Sequence, residues 1–588
     1  MFDKKIYPAY HTVRIGASAG LLHGTCGRTG ILICDDWAYE SLCARRSLRI
    51  LADDLAGDGY PVLRFDYPSM GETIPEPGGD VDSLAPLVDT VLQACATLRS
   101  SSGVTQIVIV GLGFGSAIAT RLATLPEADI SGVVLLAPVT SGRAYFRELQ
   151  LRAAMISNIT NVKPEPVPGV ALSIAGLDMR DGLAAEVKAL RISPDMLPDT
   201  IPALVLSRPG RANEAAFAEQ IAARNPANTT ATFDGYDDLM TDPTAAMTPV
   251  EAFGTVVEWI KDRFPAAPAT DVGEKLAPFP LKGDGFSETI ELLGCERQIV
   301  GTWCEPEGER TGSAVLFLNA GALPRSGWAG SVKNTQRWLA RNGIPSLRID
   351  VSDVGDSRPV SFSAEIVHYT AEQVEDVRDA LDFLQKRGCG HIVAAGSCSG
   401  AYLALRSAIA DDRISDVVAV NLQRFLWDPR DDLRNALRFD HTDTSAYARK
   451  LIDKEKLKRL LSGEIPIFSL ATFLLQRTLR KVEQKLAPYL FGLSPFARIC
   501  RQVHSELRAL SDRGTRVDLI FSIGDPGIPH MEHILGKDGM RAASYPGLEL
   551  TFINGADHNL TPKCALEIYQ QKILQAAFSD PERTASAA

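Results

Sequence analysis

The chain repeats itself, and the repeat limits the architecture more than any other feature. The phrase LAGDGYPVLRFDYPSMGET, around Pro61 to Thr73, returns as LARNGIPSLRIDVSDVGDS around Pro345 to Ser357, and 345 minus 61 gives 284. A second phrase, IVIVGLGFGSA through Gly111 to Ala117, returns as IVAAGSCSGA through Gly396 to Ala401. The central residues there are Gly113 and Cys398, and 398 minus 113 gives 285. Two landmarks shifted by nearly the same amount, in the same order, mark one structural unit used twice.

Short β-branched runs alternate with helical patterns in both halves. GILIC, PVLRF, QIVIV and GVVLL stand in the first, AVLFL, PSLRI, HIVAA and DVVAV in the second. Strands alternating with helices predict βαβ units and a mostly parallel sheet flanked by helices on both faces. The predicted domains are residues 1–264 and 286–578, joined by a Pro/Ala/Gly-rich linker over 265–285, with a frayed tail at 579–588. Each half carries an insertion before its last strands, at roughly 141–200 and about 429–513. Open α/β sheets bind ligands at the C-terminal ends of their strands, so these insertions are expected to act as lids.

Composition removes several classes of function. A formal net charge of -11 argues against a nucleic-acid binder. No apolar run is long enough for a spanning helix, and MFDKKIYPAY lacks the apolar core of a signal peptide. The ten cysteines show no CxxC pairs, so they read as reduced thiols of a cytoplasmic protein rather than a disulfide framework or a zinc site. His530 and His533 read as loop residues, since two histidines without a third ligand make a poor metal site. Gly111, Gly113 and Gly115 lack the spacing of a dinucleotide fingerprint. Neither a metal nor a cofactor is expected.

One cysteine differs from the rest. Gly396-Ser397-Cys398-Ser399-Gly400 follows the strand HIVAA and opens the helix AYLALRSAIA. G-x-nucleophile-x-G in a strand–turn–helix context holds a nucleophile at a tight, strained turn. The helix N-terminus behind it favours thiolate. Downstream, the strand VDLIFSI ends at Gly524-Asp525-Pro526, and LELTFI ends before Asp557-His558. Order and context assign Cys398 as nucleophile, Asp525 as the acid that orients, and His558 as the base. The expected oxyanion donors are the backbone N–H of Ser399 and that of Ala322 or Gly321, in the loop after AVLFL.

These residues resemble the α/β-hydrolase superfamily, and both halves fit it. The G-x-C-x-G elbow is similar to that of dienelactone hydrolases and polyhydroxyalkanoate synthases, which use a Cys–His–Asp set. The polyhydroxyalkanoate synthase pattern does not continue elsewhere in the chain. The LRxD strand paired with the elbow also resembles tandem or accessory hydrolases encoded beside polysaccharide-export and peptide-synthetase genes. That resemblance names no substrate; carrier-protein-bound or secondary-metabolite acyl groups are the candidate substrates.

The first half lacks all three roles. Gly113 stands at the elbow centre, Gly210 near the acid position and Asp238 at the base position, while Ser116 reads as a helix residue. A degenerate, structural or regulatory domain is therefore expected there. In the second insertion, Lys454, Lys456, Lys458, Arg459, Arg477, Arg480, Lys481 and Lys485 flank apolar runs. They form either a solvated cap or a dock for an acyl-carrier protein or an anionic lipid face. The functional expectation is an enzyme that works on a small-molecule acyl substrate through an acyl-Cys398 intermediate, with transfer competing against hydrolysis. The alternatives are a lactone- or C–C-cleaving hydrolase and a non-catalytic binding or scaffold protein.

Overall fold

The computed structural model describes residues 8–74, 81–160, 166–174, 176–267, 279–294, 299–359, 368–428, 430, 483 and 494–578. The chain divides into two compact units, and the division does not follow the sequence repeat. Unit one is Met1–Val367 with Ala371–Gly390, and unit two is His368–Thr370 with His391–Ala588.

Unit one contains the whole first half. Its strands are β1 (Tyr10–Ile15), β2 (Ser18–His23), β3 (Thr29–Cys34), β4 (Val62–Phe65), β5 (Gln106–Leu112), β6 (Gly132–Leu136), β7 (Val170–Ile174), β8 (Leu177–Arg180), β9 (Ala203–Ser207) and β10 (Thr229–Thr232). Eight of them form one sheet in the order β1-β2-β4-β3-β5-β6-β9-β10. β1, β2 and β4 run antiparallel in succession, and every later pairing is parallel. Helices α1 (Tyr39–Gly57), α2 (Ala85–Ser102), α3 (Phe114–Ala123), α4 (Gly142–Thr160), α5 (Asp181–Ala189), α6 (Ala212–Arg224), α7 (Tyr236–Leu239) and α8 (Val250–Arg263) complete this half. The central strands are apolar over most of their length because both sheet faces are covered, and Leu32, Ile109, Val134 and Leu204 are fully buried. The first insertion is built from α4, α5 and the antiparallel hairpin β7–β8.

Unit one continues with β11 (Leu281–Gly283), β12 (Phe286–Leu293), β13 (Ile299–Pro306), β14 (Ser313–Leu318), α9 (Ser331–Arg341), β15 (Ser346–Ile349) and α10 (Ala371–Lys386). These strands lie in the order β11-β12-β13-β15-β14, and only β14–β15 is parallel. The short β11 occupies the end of the stretch expected to be linker.

The repeated phrase explains itself inside unit one. In LRFDYPSMGE, Asp66 folds back to accept the backbone N–H of Glu72 at 3.0 Å. In LRIDVSDVGD, Asp350 accepts that of Asp356 at 3.1 Å. The intervening glycines, Gly71 (φ 42°) and Gly355 (φ 53°), pass so close to those carboxylates that a Cβ would collide with them. The arginines reach across the repeat. Arg64 pairs with Asp356, and Arg348 pairs with Glu72 at 2.5 Å. The arrangement is reciprocal, since 348 minus 64 and 356 minus 72 both give 284. Residue i meeting j′ while i′ meets j is the contact rule of an isologous dimer, here realised within one chain. Arg45 bridges Asp66 and Asp356 at 2.6 and 2.7 Å, and Arg325 bridges Asp350 and Asp356 at 2.6 and 2.8 Å. Arg46 and Arg49 hold Asp353, and Arg358 holds Asp53.

Unit two carries β16 (His391–Ser397), α11 (Ser399–Ala410), β17 (Ile414–Val420), α12 (Pro495–Arg513), β18 (Arg516–Ser522), α13 (Ile528–Leu535), β19 (Leu548–Ile553) and α14 (Lys563–Phe578). Its four strands are parallel, in the order β16-β17-β18-β19. α12 begins on Ser494, whose Oγ accepts the N–H of Ala497 at 3.1 Å, with Pro495 in the first turn, and ends at Gly514 (φ 80°). Most of the second insertion lies outside the described residues, including its basic residues from Lys454 to Lys485. Among the described residues, no helix is long and apolar enough to cross a membrane.

Candidate functional site

Cys398 stands between β16 and α11 with φ 55° and ψ −117°, a conformation that costs energy in a residue bearing a Cβ. The flanking glycines make it possible. A Cβ on Gly396 would lie 2.5 Å from the carbonyl carbon of Gly400, so strand and helix touch backbone to backbone. The Cys398 N–H donates to Val420 O at 2.9 Å, which ties the elbow to β17. Its side chain is partly exposed. Ser399, buried, opens α11.

His558 lies in the loop after β19, and Asp525 lies just beyond β18. His558 Nδ1 is 2.6 Å from Asp525 Oδ2, with the carboxylate 1% exposed and the imidazole 25% exposed. Burial by itself would lower the pKa of His558. The charge on Cys398 and hydrogen bonds to Asp525 and Cys398 outweigh burial and hold it well above the usual histidine value. The structure therefore brings Cys398, His558 and Asp525 together within unit two.

A polar scaffold that the sequence reading missed holds these loops. Asp525 Oδ1 accepts Gln423 Nε2 at 2.9 Å and the Gly527 N–H at 2.8 Å. Asn421, fully buried at φ 50°, accepts the Ser522 N–H at 2.8 Å and donates to His558 O at 2.9 Å. Ser522 Oγ donates to Asp557 O at 2.8 Å. The carboxylate of Asp557 in turn accepts the N–H and hydroxyl of Thr561, both at 2.7 Å. The loops after β17, β18 and β19 are thus one hydrogen-bonded assembly. The available signal was the pair Asn421 and Gln423 directly after the strand DVVAV, at the edge where α/β sheets place function.

The other expected residues are placed as follows. Gly321 and Ala322 belong to unit one, in the turn after β14. Gly321 has φ 57° against Thr244, and Ala322 is buried. His530 is buried, its Nε2 accepting the Phe425 N–H at 3.4 Å, and it packs against Phe425 and Phe496.

The first half keeps the elbow without its chemistry. Gly113 has φ 52° and ψ −116°, nearly the angles of Cys398, and its N–H donates to Leu136 O at 2.9 Å, the counterpart of the Cys398–Val420 bond. What fills the elbow is Asp36. A Cβ on Gly113 would lie 1.8 Å from Asp36 Oδ2. Asp36 Oδ1 accepts the N–H groups of Phe114 and Trp37, at 2.9 and 2.8 Å, and the hydroxyl of Tyr145 at 2.8 Å. Phe114 follows the elbow centre and Trp37 lies in the loop after β3, the two places from which this fold draws its oxyanion donors. A resident carboxylate therefore takes up the oxyanion hole of the first half. Ser116 is committed to structure, donating to Gly113 O at 2.6 Å and accepting the Val139 N–H at 3.0 Å. Gly210 lies in a turn (φ 73°), and Asp238 is exposed in α7.

The profile of the alpha/beta hydrolase family matches residues 21–294 and again residues 315–566. The chain belongs to that family. It is a tandem of two α/β-hydrolase domains, the second spanning strands of both compact units. No curated protein matches this tandem hydrolase in sequence. Among solved structures, brefeldin A esterase, a bacterial homologue of human hormone-sensitive lipase, is 15% identical over 52% of this chain and 80% of its own, with a TM-score of 0.31. The Pyrococcus furiosus esterase Pf2001 is 13% identical over 50% of this chain and 89% of its own, with a TM-score of 0.30. DcsB, in complex with its substrate analogue, is 14% identical over 44% of this chain and 100% of its own, with a TM-score of 0.32.

Proposed function

We propose that this α/β hydrolase is an acyl-transfer enzyme that works through an acyl-Cys398 intermediate. The observation that carries the reading is the 2.6 Å contact between His558 and Asp525, in the unit that holds Cys398 at the strained centre of the elbow. In the first step the Cys398 thiolate attacks the carbonyl carbon of an ester or thioester. The carbonyl oxygen takes the negative charge, and the donor that meets it within unit two is the N–H of Ser399. The C–O or C–S bond then breaks, and the leaving group takes the proton from His558. That leaves a thioester on Cys398 and a neutral imidazole. In the second step an acceptor gives its proton to His558 as it attacks the thioester, and the acyl product leaves as thiolate and imidazolium re-form. Asp525 orients the ring in both steps and does not react.

The acceptor is water, an amine, an alcohol or a thiol. Water attacks thioesters about as it attacks esters, whereas amines and thiols attack them faster, so a cysteine nucleophile tilts the partition toward transfer. The test is intact-mass analysis after mixing with an activated acyl thioester, followed by a graded series of acceptors. The expected result is an adduct of one acyl group on Cys398, absent from Cys398→Ala, and a free-acid yield that falls as acceptor rises. No adduct on Cys398 would sink the covalent reading, and a constant acid yield would make the enzyme a hydrolase only.

A further inference from the structure

The loops after β3 and β4 and the hairpin β7–β8 surround a cavity of about 310 Å³ within unit one, and the segment that opens α9 closes it. It contains no residue of unit two, so nothing in it rests on the chemistry at Cys398. Part of its wall is apolar, from Trp37, Leu42, Met70, Leu87, Leu177 and Leu183. The N-terminus of α9 also lines it, and there Gly330 is the cap residue and no side chain caps the helix. Lys333, in the first turn, is only 7% exposed and also lines the cavity. Its ammonium donates to Gly71 O at 2.6 Å, and no carboxylate among the described residues forms an ion pair with it. Asp66 and Asp178 also line the cavity, and Asp66 is held by Arg45 and the Glu72 N–H.

A buried cation without a counter-ion is costly, and the partial positive charge of a helix N-terminus beside it adds to the same field. An anion entering the cavity would relieve both at once. We propose that this cavity binds a small anionic ligand, a carboxylate or phosphate monoester on a short apolar body, with its head group against Lys333 and the start of α9. Burial pushes the Lys333 amine down to about 8; Arg337 and Arg348 press it the same way, and Glu72 and Glu288 oppose them. The ammonium is thus charged at neutral pH, and binding of an anion weakens as the pH rises through about 8.

The test is calorimetric titration of the full-length protein with octanoate, octyl phosphate, octanol and inorganic phosphate. Octanoate or octyl phosphate binds, and whichever binds more tightly identifies the head group. Octanol binds weaker by about tenfold or more, and Lys333→Met loses a similar factor for the anion. A second measurement needs no variant: reductive methylation of the wild-type protein, mapped by peptide mass, in which saturating anion protects Lys333. Octanol binding as tightly as octanoate, no binding of either anion, or Lys333 methylated equally with and without ligand would overturn the proposal. Inorganic phosphate binding as tightly as octyl phosphate would overturn its apolar half.

Discussion

Burial silences most of the other thiols. It pushes Cys34, Cys43, Cys304 and Cys389 up, and Cys95 and Cys500 to about 11. The described thiols left to compete are the exposed Cys26 and Cys564. Brief alkylation near neutral pH should label Cys398 ahead of both, because it stands at the N-terminus of α11 beside His558. His558→Ala should slow that labelling by about tenfold or more. Equal labelling of all exposed cysteines would remove the case for an activated elbow. On the proposed mechanism Cys398→Ala and His558→Ala each lower kcat by about 10⁶, and Asp525→Ala by about 10⁴, since the acid only orients the base. The ring of His558 supplies an independent reading. Its pKa is raised, so the protonated form persists through neutral pH and is lost as pH rises through the raised value. Asp525→Asn weakens one cause of that rise and should move the NMR titration midpoint of His558 downward. An unmoved midpoint would show that Asp525 does not hold the proton there. Cys398, Asp525 and His558 were legible in sequence because each follows a strand and they come in one order. Asn421, Gln423 and Ser522 were not, because a buried amide or hydroxyl has no spacing of its own and its partners lie far away in the chain.

At the scale of the elbow as an element, the two halves show what a nucleophile position becomes when the nucleophile is lost. The strand–turn–helix geometry of the first half survives almost unchanged, and the vacated space is filled by Asp36. Burial raises the pKa of Asp36, against hydrogen bonds from Phe114, Tyr145 and Trp37 that pull it back. Gly113→Ala should therefore destabilise the chain by about 2–4 kcal/mol, combining the cost of positive φ with collision against the carboxylate. Asp36→Ala in the same chain should recover part of that loss, so a double-mutant cycle read by thermal or denaturant unfolding should show coupling of about 1 kcal/mol or more. Strictly additive losses would mean that the carboxylate does not occupy the elbow. The sequence announced the absence of a nucleophile at Gly113. It did not announce the replacement, because an aspartate after a strand reads as an ordinary loop residue until the fold carries it to the elbow.

Across the molecule, unit one is held by charges as well as by its apolar core. Asp356 is buried against Arg45, Arg64 and Arg325, and those cations hold its carboxyl well below the usual range despite burial. Asp356→Asn strands Arg64 and takes one carboxylate each from Arg45 and Arg325, and it should cost about 3–5 kcal/mol, far more than a surface pair. The reciprocal change, Glu72→Gln, takes one carboxylate each from Arg348 and Arg325 and should cost about 2–4 kcal/mol; a loss below about 1 kcal/mol for both, measured by denaturant unfolding, would show the network to be dispensable. The same groups set an acid limit. Glu72, Glu288, Asp53 and Asp356 all have depressed pKa values in the fold. Their contribution is present above the unfolded carboxylate value of about 4 and is lost as pH falls from there toward the folded values. The melting temperature should fall steeply below about pH 4, and because the pairs are buried, added salt should change it little at neutral pH.

The sequence by itself determined the duplication, the parallel α/β order of each half, the elbow at Cys398 and the order of its partners. All of these are local patterns, such as strand periodicity, a glycine frame and residues directly after strand ends, which survive in a one-dimensional reading. The repeated LRxD phrase was legible as a landmark, but its meaning was not. Only the tertiary structure showed that its arginine reaches the other half, that its aspartate closes its own loop and that its glycine makes room for the carboxylate. The compact units likewise cut across the repeat, because compactness follows the density of contacts rather than ancestry of sequence. The filling of the first elbow by Asp36 and the charge of Lys333, which has no ion pair among the described residues, were also decided only in three dimensions. Whether a buried charge is satisfied depends on groups remote in sequence, and a single chain of letters carries no distance between them.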